Sequence, residues 1–194
     1  MERFNFPSRL PGVYAGLVAA AVLVASATGC EDRGAVQSGS NPSAQSASAP
    51  EALPAGFVLS EAPTGAKDVV ALKKDAKPGD EVVLRGRVGG SPSPFVDGRA
   101  SMQVIDKALK ACGEGTAMDE CKTPWDYCCD DPREVAAHSA SVQVVGADGK
   151  PLRAGLKGVG GLKPLSEVTV RGTVARATDS GVLVVNATGI HVKG

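Results

Sequence analysis

Four cysteines crowd one stretch of this 194-residue chain: Cys112, Cys121, Cys128 and Cys129. Sulfur at this density supports three chemistries. The first is a structural staple. The count is even, and paired thiols can hold an irregular segment that has no core of its own. A bond between Cys128 and Cys129 would need a strained eight-membered ring, so Cys112 and Cys121 are each expected to bond one of the vicinal pair. Each closed loop would contribute on the order of 2–3 kcal/mol by constraining the unfolded chain. The alternative is a tetrahedral site for zinc or another soft metal, built from Cys112, Cys121, Cys128 and Cys129, or from three of them with His138. The spacing C-x8-C-x6-C-C lacks the closely spaced cysteine pair of a zinc knuckle. A thiol-redox pair is the third chemistry, but C-x-x-C and its βαβ setting are missing. Seven acidic side chains between Cys112 and Glu134 would attract cations or simply solvate a loop. No Ser-His-Asp set, phosphate-binding loop or H-E-x-x-H is present, and Gly158-Val159-Gly160-Gly161 does not fit a dinucleotide fingerprint. The expectation is a protein that is not an enzyme and needs no cofactor.

Which chemistry prevails depends on the compartment, and the N-terminus speaks to that. Arg3 and Arg9 precede a segment, Leu10 to Cys30, without a single charge; Val13 to Ala25 is nearly all small or aliphatic. This is the layout of an export signal. Ala27-Thr28-Gly29-Cys30 resembles a lipobox in which Ala27 replaces the usual leucine. The expectation is a signal peptide over 1–29, cleavage before Cys30, and lipid (diacylglycerol, with palmitate-type chains) on that cysteine. Cleavage after Ala27 would instead release a soluble protein, and an uncleaved segment of this length can just span a bilayer. Arginines before it and Glu31-Asp32 after it place the remainder outside the cytoplasm in each case. The chain has five cysteines, so spending Cys30 on lipid leaves four in the domain.

From residue 30 to 56 the composition is Ser, Ala, Gly, Pro, Gln and Asn, a stretch too poor in large apolar side chains to offset its ordering entropy. It reads as a disordered tether. Residues 57–194 suffice for one domain. From Cys30 onward there are 19 basic and 20 acidic side chains, which gives no electrostatic reason to expect nucleic acid.

The elements that must position the cysteines are strands. Glu81-Val82-Val83-Leu84-Arg85-Gly86-Arg87-Val88 is echoed by Glu167-Val168-Thr169-Val170-Arg171-Gly172-Thr173-Val174, with apolar residues alternating in both. Period two marks half-buried strands, and the internal glycine allows the bend a barrel needs. Ala100 to Val104 and Ser141 to Val144 alternate similarly. Val182 to Val185 follows Asp179-Ser180-Gly181 as the return arm of a hairpin that Ile190-His191-Val192 prolongs, with His191 a structural residue. Short helices are expected over Asp68–Lys74 and after Asp131-Pro132, with Asp131 as the N-cap, Glu134 closing a capping-box pair and His138 near the C-terminus.

Five such strands resemble an OB-fold: an all-β, five-stranded OB-fold-like barrel with a cysteine-rich insertion, residues 107–139, between strands two and three. The lipobox, the low-complexity tether, Thr123-Pro124-Trp125-Asp126-Tyr127-Cys128-Cys129 and the terminal barrel together resemble secreted lipoproteins of planctomycete type. That resemblance implies an address and a fold but brings no activity. Phe57, Phe95, Trp125 and Tyr127 lie off the expected barrel strands, so a base-stacking nucleic-acid platform is not expected. The expected protein is a monomeric, membrane-anchored lipoprotein of the cell envelope, facing the periplasm or exterior. It would have a binding or structural role toward an envelope protein, glycan or small ligand. A metal-binding or thiol-redox module is the alternative.

Overall fold

The computed structural model describes residues 49–114 and 121–194. The signal segment, Cys30 and residues 30–48 of the tether lie outside the described residues. Among the described residues, no helix is long and apolar enough to cross a membrane.

Among the described residues, six strands and two short α-helices follow in chain order: β1 (Lys67–Asp68), α1 (Val69–Asp75), β2 (Glu81–Val88), β3 (Ser101–Ile105), α2 (Pro132–His138), β4 (Ser139–Gln143), β5 (Glu167–Ala177) and β6 (Leu183–Val192). Their hydrogen-bonded order is β1-β2-β3-β4-β6-β5, and β5 pairs back onto β2. Strands β2 to β6 therefore form a closed five-stranded barrel. It is mixed, because β4 and β6 run parallel while the other pairs within the barrel are antiparallel. Closure leaves no free barrel edge, and β1 adds two parallel residues outside β2.

The echoed segments are β2 and β5, and they pair with each other. Leu84 lies opposite Val170, Gly86 opposite Val168, and Val82 opposite Gly172. The repeat and the register thus share one centre, Leu84–Val170, which gives the seam a local two-fold character. Alternation sets which face is inward: Leu84, Val88, Val168, Val170 and Val174 are buried. Each fully buried aliphatic side chain contributes about 1.5–3 kcal/mol relative to exposure. The two strand glycines sit where a neighbouring strand crosses. A Cβ at Gly86 would lie 2.5 Å from Val104 Cγ1 and 2.7 Å from the Ile105 carbonyl oxygen. At Gly172 it would meet the Asn186 carbonyl oxygen at 2.2 Å, next to a bulge in the β5–β6 pairing.

Helix α1 closes part of the barrel with Val69 and Leu72, both buried. Glu51 already meets the barrel, since the Arg153 N–H donates to its carboxylate at 2.7 Å, and Leu53 packs against the core. The glycine-rich Val159–Gly161 stretch is a single 3-10 turn between buried Leu156 and Leu162.

Candidate thiol–carboxylate site

The connection from β3 to β4 leaves and returns at one neck. There the Asp106 N–H donates to the His138 carbonyl (2.8 Å), and the buried Asp106 carboxylate accepts from Val70 N–H and Ala108 N–H, each at 2.9 Å. Beyond the neck, the insertion packs a small core onto the barrel: Ala111, Tyr127 and Val135 join Ile105 of β3, with Leu109 and Leu165 against them. Tyr127 is the anchor. It is 1% exposed, and its backbone is left-handed (φ 58°), the cost of turning the chain between its two neighbours. Its hydroxyl makes no hydrogen bond of ordinary geometry among the described residues, with the Arg87 guanidinium nearby; burial pushes the phenol pKa up and Arg87 works against that rise. Trp125 is only half-buried, its indole N–H donating to the Pro92 carbonyl at 3.1 Å.

The Tyr127 turn decides what its flanking residues face. Pro124–Asp126 form a 3-10 turn that ends at Tyr127, and the Cys112 N–H donates to the Pro124 carbonyl at 3.0 Å. Asp126 and Cys128 are thereby brought to Cys112. Donor atoms of Cys112, Cys121, Asp126 and Cys128 all lie within 4.8 Å of one another. The Sγ atoms of Cys112 and Cys128 are 3.8 Å apart, and Cys112 Sγ is 3.8 Å from Asp126 Oδ1. The carboxylate is held from behind, with Thr123 Oγ1 donating to Oδ2 (2.7 Å) and the Cys128 N–H to Oδ1 (2.9 Å). Burial opposes its charge, but these hydrogen bonds win and keep the Asp126 carboxyl below its ordinary value. Its acceptor oxygen in turn pushes the Cys128 thiol far up, with the Cys112 thiol adding to the effect. The Cys112 thiol also raises Cys129.

Three of the four sequence-indicated cysteines thus join one cluster, while exposed Cys129 sits beside Cys112 but outside the four-donor set. All four are thiols in the structure, with no S–S bond among them. His138 stays apart: it ends α2, where Asp131 does cap the N-terminus, and its Nδ1 lies 2.8 Å from the Glu134 carbonyl. Asp126 was not singled out by sequence reasoning. Its cue was there in Thr123-x-x-Asp126, a side-chain pairing that fixes a carboxylate.

The site rests on the barrel through an ion pair. Arg87 at the end of β2 donates to the Glu114 carboxylate from both terminal guanidinium nitrogens, Nη1 and Nη2, at 2.5 and 3.3 Å. That pairing, with the Ala111 N–H, holds the Glu114 carboxyl below its usual range. A depressed folded pKa contributes stability above the ordinary glutamate value of about 4.3, and loses it as pH falls through the lower folded value. Acid titration followed by the fluorescence of Trp125, the sole tryptophan, should show the insertion loosening before the barrel's circular dichroism changes. Glu114→Gln should remove the early phase; an unchanged profile in that variant would assign it elsewhere.

No protein-family model, curated protein or solved structure matches the chain. The class that fold and site define is a small domain with a closed five-stranded mixed barrel bearing a thiol–carboxylate cluster on one insertion.

Proposed function

We propose that this is an envelope-anchored binding module of the OB type, held to a membrane by lipid on Cys30, with the cysteine-rich insertion as its ligand-binding element. The barrel order supports the OB reading: numbering the barrel strands one to five, three antiparallel strands lead to a parallel third–fifth pair, and the fourth closes on the first. The observation that carries the functional reading is the convergence of three thiols and one carboxylate at a partly exposed point on a rigid scaffold. Binding fits this site better than redox catalysis. The four cysteines lack the C-x-x-C spacing and the βαβ setting of a thiol-redox centre. Nucleic acid is disfavoured because Phe57, Phe95 and Tyr127 are buried, which leaves Trp125 as the single partly exposed aromatic among the described residues, too few for a run of stacked bases.

The test uses the full chain produced with its leader in a bacterial host. After lysis and fractionation, the protein is denatured without reductant and its thiols are alkylated and counted by mass. Recovery in the membrane fraction, lipid on Cys30 and four alkylated insertion thiols are expected, and Cys30→Ala should move the protein to the soluble fraction. Cytoplasmic recovery would overturn the address. Two disulfides would overturn the thiol binding element and make the insertion a staple.

A further inference from the structure

Resting on that reading of the insertion as a binding element, we propose that it is a mononuclear, four-coordinate site for a divalent d10 cation of the zinc and cadmium type. The ligands are the Sγ atoms of Cys112, Cys121 and Cys128 and the Oδ1 atom of Asp126.

The first argument is metric. With metal–sulfur bonds of about 2.3 Å, the sulfur–sulfur edge of a tetrahedron is about 3.8 Å. The Cys112–Cys128 separation is 3.8 Å. All six donor–donor distances fall within 4.8 Å, so the remaining edges need only small side-chain rotations to reach bonding range. A disulfide, by contrast, would bring two sulfurs to about 2.05 Å and leave the other donors without a role.

The second argument is orientation. Ligating carboxylates are generally held by an outer layer of hydrogen bonds, and Asp126 already has one: Thr123 Oγ1 occupies Oδ2 while Oδ1 faces the Cys112 sulfur. Donor type then narrows the cation. Thiolates alone would suit Cu(I), but an oriented carboxylate is a harder donor and belongs to a borderline divalent ion. Four protein ligands also close the coordination sphere, the pattern of a holding site and not of a metal catalyst with an open position. Exposure of Cys128 supplies the entry path. Charge and protons balance: the cation displaces three thiol protons and meets one carboxylate already ionised, which leaves a site of net charge −2 and three released protons.

The probe is Co2+ added anaerobically to the reduced full-length chain in detergent, with Cd2+ as the second ion. Expected are one equivalent bound, the visible ligand-field bands of tetrahedral thiolate-bound cobalt, cadmium NMR in the range of three sulfurs and one oxygen, and three protons released near neutral pH. Asp126→Asn should weaken Co2+ and Cd2+ binding by at least about 10–100-fold, the range seen for losing even an outer partner. Cys112→Ser, Cys121→Ser and Cys128→Ser should each abolish the tetrahedral spectrum, whereas Cys129→Ser and His138→Ala leave it unchanged. Barrel circular dichroism identifies any variant that merely fails to fold, and Asp126→Asn, conservative in shape, keeps the test decisive. Reduced thiols that bind neither ion overturn this inference while leaving the thiol binding element standing. A spectrum lost in Cys129→Ser but intact in Asp126→Asn overturns the ligand set. Thiols found as disulfides in the exported protein remove both readings together.

Discussion

Gly172→Ala should cost the domain about 3 kcal/mol or more in unfolding free energy, the upper range for overpacking a rigid interior. The new methyl carbon would lie 2.2 Å from a backbone oxygen of β6 and 2.9 Å from the Ala187 Cα. Neither atom belongs to a side chain that can rotate away, so β5 and β6 must part. The echo position Gly86 should also be destabilised by alanine, since its Cβ would lie 2.7 Å from the Ile105 carbonyl oxygen and 2.5 Å from Val104 Cγ1, but less than Gly172, whose backbone obstacle is closer. Gly155 is exposed, with nothing within 4 Å of a would-be Cβ, and Gly155→Ala should be neutral or slightly stabilising. Urea unfolding of the three variants checks the series. Wild-type stability in Gly172→Ala would mean that the strands do not cross as closely as described.

The second large effect belongs to Tyr127. Truncating a buried aromatic costs about 3–5 kcal/mol, and Tyr127→Ala removes the one large side chain of this small core that, among the described residues, is fully buried beyond the neck. Asp126 and Cys128 flank this residue, so losing the anchor should scatter the donor set as well. The expected result is a fluorescence transition of Trp125 at much lower denaturant than the barrel's circular dichroism, since Leu84, Val170 and the rest of the main cluster keep their contacts. Tyr127→Phe isolates the hydroxyl. With no hydrogen bond of ordinary geometry among the described residues to lose, this change should stay within about 1 kcal/mol. A loss in Tyr127→Phe as large as in Tyr127→Ala would assign the anchoring to the hydroxyl instead of the ring.

These two residues also mark how far the sequence could be read. Gly172 was legible because barrel strands advertise themselves: alternation picks the inward face, and a glycine repeated at the same place in two similar strands points to a shared constraint. Its detailed reason, a crossing strand and not only a bend, came from the pairing register. The insertion was legible in kind but not in arrangement. Ile105, Ala111, Tyr127 and Val135 follow no period, so nothing local announces that they meet. Seven acids compete for attention between Cys112 and Glu134, and only the left-handed turn at Tyr127 singles out Asp126 by aiming it at sulfur. His138, a plausible ligand by residue type, is spent on its own helix end. Long-range placement of this sort depends on tertiary packing, which residue spacing does not encode.

The order of strands also dictates a timetable. Strand β6 lies between β4 and β5, and β5 supplies the partner that closes β2. A ribosome that has released everything through β4 has therefore released only an open meander, whose exposed edges must wait for two more strands. A domain folds as a unit, and closure of this barrel must wait until Val192 is free. For the export proposed above, that delay is useful: a chain unable to close its barrel while being made stays threadable, and it locks only after the translocation channel has let go of its last strand.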